Sequence, residues 1–200
     1  MAPQATRSEP TGLPYYEING DGTARLGDLH LRIDDNRLIA YEECESVNAS
    51  IGMAVALAGT LPTELIAMLS SIQHDLFDLT TDLGTPITAS DRSIRITEAH
   101  IVRLERAMEH YGADFPPVDG FVLPGGTAPA ALLSQARTAT LRAERACWNA
   151  SHDHPDTFGQ LPAQYLSLLS LLLSTLARAA TAEHGDVKWR PMEAVGESLR

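Results

Sequence analysis

Phe121-Val122-Leu123-Pro124-Gly125-Gly126 runs straight into Thr127 and a helical pattern, and this junction carries the residues best suited to hold a ligand. Paired glycines let a backbone come close to a bound molecule. The free N–H groups of a helix start face an anion or a polar group. The same helix then carries Ala136-Arg137-Thr138 and Arg142-Ala143-Glu144-Arg145. By composition alone the junction is also an ordinary loop-to-helix connection, so its chemistry depends on the elements around it.

Other polar groupings carry less. His152-Asp153-His154-Pro155-Asp156 offers metal-ligating side chains, but without a third rigidly placed ligand it is a solvated loop. There is no Ser-His-Asp or zinc-ligand signature, and no metal site is assigned. Cys44 and Cys147 are too few for a disulfide framework and each falls within a helical pattern, as two buried thiols would.

Five helical segments position these residues. The first runs from about Asn36 to Ala58, with Leu38, Ile39, Val47, Ile51 and Val55 apolar and Tyr41, Glu45, Asn48 and Gly52 on another face. The second starts after Pro62 and carries Leu65, Ile66, Leu69, Ile72, Leu76, Phe77 and Leu79. Thr97 is the expected N-cap of the third, with His100 at the capping-box position and Gly112 after its end. The fourth runs from near Thr127 to about Ala150, and the fifth from Pro162 to about Glu183. The fifth is apolar nearly all round except for Ser167, Ser170, Ser174 and Arg178, which predicts burial on most sides. Asn19-Gly20-Asp21-Gly22 is a turn between short extended pieces. The expected architecture is all-α, a five-helix up-and-down bundle over residues 15–186 with a short N-terminal extended segment. Residues 1–14 form a mobile tail and 187–200 a C-terminal tail.

Two hundred residues at 44% apolar content suit one domain with a full core. A formal charge of −11 argues against nucleic acid and against anionic lipid. A polyanionic ligand must therefore be held by a local Arg cluster or a helix start. The N-terminus lacks the apolar core of a signal peptide, and Tyr165 to Ala177 is too short to span a bilayer. The sequence predicts a cytoplasmic protein that takes a small-molecule ligand, with no nucleic acid and no membrane partner.

In order and spacing, the Phe121–Gly126 loop, the Ala136–Arg145 stretch and Tyr165–Arg178 resemble the PduO-type ATP:cob(I)alamin adenosyltransferases. The resemblance covers about Asp34 to Ala180. It implies a bundle assembled as a homotrimer with active sites between subunits, and transfer of the 5′-deoxyadenosyl group of ATP to the cobalt of cobalamin. It implies that Phe121 lies against the corrin, with Gly125 and Gly126 beside it. Arg137 is implied to bind ATP phosphates and to pair with an acid of helix one, here Glu45 in Cys44-Glu45-Ser46-Val47-Asn48, where the family has Val-Asp-Glu-Leu-Asn. An Arg facing a carboxylate in a bundle is equally a structural ion pair. Asn48, Arg142, Arg145 and Ser167 complete the implied ligand-binding set.

The departures from the family fall on the nucleotide side. Its second helix-four Arg is Leu141 here, and its Tyr-Leu-Asn-Arg-Leu-Ser-Asp is Tyr165-Leu166-Ser167-Leu168-Leu169-Ser170-Leu171. The N-terminal phosphate loop keeps only a Gly-Asp-Gly core at Gly20-Asp21-Gly22 and lacks the basic residue before it. These changes weaken the expected hold on ATP and magnesium. They leave a competing class: a homologue that binds a corrinoid or another small molecule without transfer, or a structural partner of an active paralogue.

Overall fold

The structure, a computed structural model, describes residues 16–59, 61–87, 94–115, 118–181, 185–191 and 193. The expected mobile tail over 1–14 lies outside the described residues, and helix five, expected to run to about Glu183, ends at Ala179 with Ala180 as its cap. Three short strands, β1 (Tyr16–Asn19), β2 (Thr23–Leu26) and β3 (Leu29–Arg32), form an antiparallel meander in the order β1-β2-β3. Five helices follow: α1 (Asn36–Ala56), α2 (Thr63–Leu83), α3 (Glu98–Asp114), α4 (Ala128–Asp153) and α5 (Leu161–Ala179). The all-α bundle expected from periodicity is thus the fold, and the extended N-terminal pieces close into a small sheet. Ala24, Leu26 and Leu31 bury one face of that sheet against the helices.

Local chemistry sets most helix starts. Asp35 caps α1, accepting from the Arg37 backbone N–H at 2.9 Å while its carboxylate also takes the Arg37 guanidinium. Burial pulls the Asp35 carboxyl upward, but the Arg37 hydrogen bonds outweigh it and hold the group below the ordinary carboxylate value. Thr97 and His100 form the expected capping box, with the His100 Nδ1 accepting from the Thr97 N–H at 3.1 Å. Gly112, expected past the end of α3, lies inside it; the helix continues to Asp114 and Phe115 closes it.

Helix α4 packs closely against α1 and α5 because its inner stripe is small: Ala136, Ala139, Ala143, Ala146 and Ala150 are buried with Leu133 and Cys147. Cys44 and Cys147 are fully buried, and burial pushes both thiols up, out of reach of ordinary thiol chemistry. Helix α5 is buried along Tyr165, Leu166, Leu169, Leu172, Leu173 and Leu176, as its composition predicts. Leu171 departs from that pattern at 55% exposed.

The seam between α2 and α3 is polar. The buried Tyr165 hydroxyl donates to Asp75 Oδ2 at 2.8 Å, and Arg103 of α3 pairs with the same carboxylate and with Ser71. His100 Nε2 faces Asp78 at 3.5 Å and Asp75 at 4.0 Å. Asp75, Asp78 and His100 could together offer three metal ligands. Arg103 already supplies the cation at Asp75. Because Nδ1 of His100 accepts the capping bond from the Thr97 N–H, the neutral ring carries its proton on Nε2, so the nitrogen that faces the carboxylates has no lone pair for a metal. Arg103 is part-exposed and Asp75 buried, so this network ties α3 to α2 and to Tyr165 of α5.

Candidate functional site

One end of the bundle is hollow. The C-terminal part of α3, the start of α4, the end of α5, the loop 118–126 and residues 185–187 enclose a cavity of about 530 Å³. Its walls are mostly apolar and backbone, with Ser134, Arg137 and Thr138 from α4 and Ser174, Thr175 and Arg178 from α5. These α4 positions follow one another at a helical turn, which puts three polar tips on the strip of α4 left uncovered by α5.

The loop is shaped by its glycines. Gly126 has φ +87°, and a Cβ there would come within 2.4 Å of the Thr181 Cγ2 atom, so no other residue lets the loop approach α5 this closely. Thr127 fixes the next step twice: its Oγ1 accepts from the Ala130 N–H at 3.2 Å and donates to the Ala180 carbonyl at 3.0 Å. Loop, α4 start and α5 end are thereby one rigid corner. Phe121 is 74% exposed at the cavity mouth, and its ring meets Trp189 edge-on at 5.8 Å between centroids.

Residues 187–189, which the sequence reading places beyond the bundle, pair with this loop. Val122 and Lys188 form an antiparallel bridge, with the Leu123 N–H donating to the Val187 carbonyl at 2.9 Å and the Trp189 N–H to the Phe121 carbonyl at 2.8 Å. Sequence reasoning missed Phe115, Thr181, Asp186 and Trp189 as parts of this site. The usable signal was an exposed-tail aromatic, Trp189, following a Gly-Asp turn.

Of the residues named from sequence, the cavity brings together Phe121, Gly125, Gly126 and Arg137, and adds Leu171. The others lie elsewhere. Asn48 clasps α1 to α2: its Oδ1 accepts from Gln73 Nε2 at 2.9 Å and its Nδ2 donates to the Gln73 carbonyl at 3.3 Å. Arg142 pairs with Glu43 at 2.8 Å. Arg145 is exposed and makes no ion pair among the described residues. Ser167 is half-buried, and its carbonyl accepts from the Ser170 hydroxyl at 2.8 Å.

The expected pair between Glu45 and Arg137 is not formed within the chain. Both side chains are exposed. Glu45 accepts from the Tyr41 hydroxyl at 3.2 Å. The α1–α4 register brings Glu43 against Arg142, so the cross-helix ion pair forms there instead. Around it, burial together with the hydrogen bond to Glu42 pushes the Tyr16 phenol up to about 12, and burial with Glu45 does the same for Tyr41, to about 12. The turn at Gly20-Asp21-Gly22 is satisfied internally, with Asp21 Oδ1 accepting from the Thr23 N–H at 3.0 Å and from its hydroxyl at 2.6 Å.

Among the described residues, no helix is long and apolar enough to cross a membrane. Residues 16–180 match the family model described as cobalamin adenosyltransferase. The chain is 44% identical over 180 residues to a corrinoid adenosyltransferase of Mycobacterium bovis, covering 88% of this chain and 92% of that protein. It is 34% identical over 185 residues to a corrinoid adenosyltransferase of Bacillus subtilis, covering 88% and 92%. Among solved structures it is similar to a phenylalanine-to-histidine variant of the PduO-type ATP:corrinoid adenosyltransferase of Lactobacillus reuteri, complexed with cobalamin and ATP. The TM-score is 0.77 at 32% identity, over 86% of this chain and 95% of that one.

Proposed function

The chain belongs to the cobalamin adenosyltransferase family, and from that membership we propose that it transfers the 5′-deoxyadenosyl group of ATP to a reduced corrinoid held at the Phe121 cavity. The observation that carries this reading is that one apolar cavity gathers Phe121, Gly125, Gly126 and Arg137 at the start of α4. In the reaction the cobalt(I) electron pair attacks the ribose 5′ carbon, a cobalt–carbon bond forms, and the carbon–oxygen bond to triphosphate breaks with its electrons leaving on the phosphate. The nucleophile is strong enough that the chain need supply no general base. Its own residues bind and orient the partners and exclude water.

Phe121 offers its ring face to the corrin and keeps the lower side of the cobalt apolar. Arg137, exposed on the wall of the cavity, is the cation placed to meet the leaving phosphates. The chain offers magnesium no carboxylate at Leu171, so the ion would arrive with the nucleotide and keep its waters. ATP is held more weakly than by relatives with the full set of polar residues.

The proposal extends to assembly. Glu45 and Arg137 are both exposed on the single chain, and a homotrimer with its sites between subunits would let one subunit's carboxylate meet its neighbour's guanidinium. A monomer mass by light scattering would refute that part. ATP and reduced cobalt are cytoplasmic chemistry, and two unpaired thiols fit that compartment.

The test is incubation of the purified protein with MgATP and chemically reduced cobalamin, followed by the absorption spectrum of adenosylcobalamin. Slow but protein-dependent product formation is expected. Cobalamin binding without any product at saturating MgATP would overturn the transferase assignment in favour of a corrinoid-binding homologue.

A further inference from the structure

Arg178 touches two walls of the cavity at once. Its Nε and one terminal nitrogen each donate to Asp186 Oδ2 at 2.9 Å, while the other terminal nitrogen donates to the Phe115 carbonyl at 3.0 Å. The guanidinium carbon lies 5.8 Å from the centre of the Phe115 ring. Arg178 ends α5, Phe115 closes α3, and Asp186 opens the segment that pairs with the Phe121 loop. The ion pair is largely screened from water, with side-chain exposures of 19% and 21%. The segment beyond Asp186 is otherwise held to the Phe121 loop by two backbone hydrogen bonds and one edge-on ring contact. A two-stranded pairing that short is not stable on its own. Its anchor therefore decides whether it stays docked.

We propose that Arg178 is a positioning residue for the cavity's ligand: it pins the C-terminal segment and the end of α3 to α5 at one point, and through that segment holds Phe121 at the cavity mouth. This rests on the corrinoid reading of the cavity for its consequence in binding, but not for the joint itself. The fork geometry is essential. A lysine ammonium is a point donor on a thinner stem, and reaching Asp186 leaves the Phe115 carbonyl without its partner. Lysine should therefore keep part of the anchor and lose the coupling between the two walls.

The test uses the full chain with Trp148→Phe as background, so that Trp189 is the only tryptophan, and compares Arg178 with Arg178→Met, Arg178→Lys and Asp186→Asn. Without ligand, acrylamide quenching of Trp189, half-exposed in the docked segment, should rise towards that of free tryptophan in Arg178→Met and rise less in Arg178→Lys and Asp186→Asn. With hydroxocobalamin, Arg178→Met should bind at least about tenfold more weakly, with the bound cobalt spectrum shifted towards that of the free corrinoid. The helical circular dichroism should be unchanged. Unaltered Trp189 quenching in all three variants overturns the joint, whatever the affinity. If the parent protein does not bind hydroxocobalamin, the corrinoid reading fails, and the quenching series still decides whether Arg178 holds the walls. Should Arg178→Met fail to fold, Arg178→Lys and Asp186→Asn carry the same two measurements.

Discussion

The cavity end and the α1–α4 face differ in what their polar groups are doing. At the cavity, Phe121 is open to solvent, two glycines bring backbone to the rim, and Arg137 faces outward with no ion pair among the described residues. Along the rest of the implied ligand set, Arg142 is engaged on Glu43 and Asn48 on Gln73, while Arg145 is exposed and makes no ion pair among the described residues. Three further positions, Leu141, Leu168 and Leu171, carry no polar group at all. A binding site needs donors that the fold has not used. Arg137 at the cavity is such a donor, whereas Arg142 and Asn48 are already spent within the fold.

The largest test of this contrast concerns MgATP. A charge-assisted hydrogen bond to phosphate contributes roughly 1.5–3 kcal/mol, so the missing groups amount to on the order of 5 kcal/mol, a few thousandfold in affinity. MgATP should bind weakly by calorimetry, and Leu141→Arg, Ser167→Asn and Leu168→Arg together should recover much of that affinity. If the triple variant still fails to bind, the face has been reshaped for another ligand and the contrast is not one of missing donors. Phe121→Ala probes the other region. Removing a ring that would be covered by a corrin should cost about 1.5–3 kcal/mol of cobalamin affinity, read from the absorption titration. An unchanged titration and cobalt spectrum would move the corrinoid elsewhere.

How much of this was legible in the sequence follows from the range of each interaction. Helix starts were readable because their chemistry is local: Thr97 with His100 and Thr127 with Ala130 lie within one turn. Gly112 misled because a glycine within a helix and a glycine after one look alike when nothing crowds the position. The N-terminal pieces were recognisable as extended, but pairing three of them into a sheet requires register. The Phe121 loop and Arg137 were identified and do meet in one cavity. The partners that complete it, Asp186 and Trp189, come from a segment whose pairing with the loop spans a long stretch of chain and leaves no periodic pattern. The Glu43–Arg142 pair escaped for the same reason, since one acid among Glu42, Glu43 and Glu45 is selected only by the α1–α4 register.

Gly126→Ala sharpens the account of the cavity corner. At φ +87° a side chain is strained by about 1–3 kcal/mol, and its Cβ would also press into Thr181 at 2.4 Å. Urea unfolding should show a loss at or above the top of that range, and cobalamin affinity should fall with it. Gly125→Ala meets no neighbouring atom within 4 Å and should affect stability less. Equal losses at the two positions would show that backbone conformation alone, and not the approach to Thr181, sets the corner.

The smallest expected effect tests whether engagement within the fold is what silences Arg142. Glu43 Oε1 accepts from Arg142 Nε at 2.8 Å, and this hydrogen bond raises the Arg142 pKa above its ordinary value. The pair is part-exposed, so it adds little to stability, roughly 0–1 kcal/mol. Glu43→Gln removes the competing charge while leaving an amide oxygen that can still accept. If Arg142 can swing to a bound triphosphate, inorganic tripolyphosphate should bind a few-fold more tightly to Glu43→Gln than to the parent, with the gain shrinking as salt rises. Arg142→Gln in the Glu43→Gln background should abolish the gain. A gain that survives the loss of Arg142 would come from the lower negative charge of the surface. No gain at all would mean that Arg142 faces away from the phosphates.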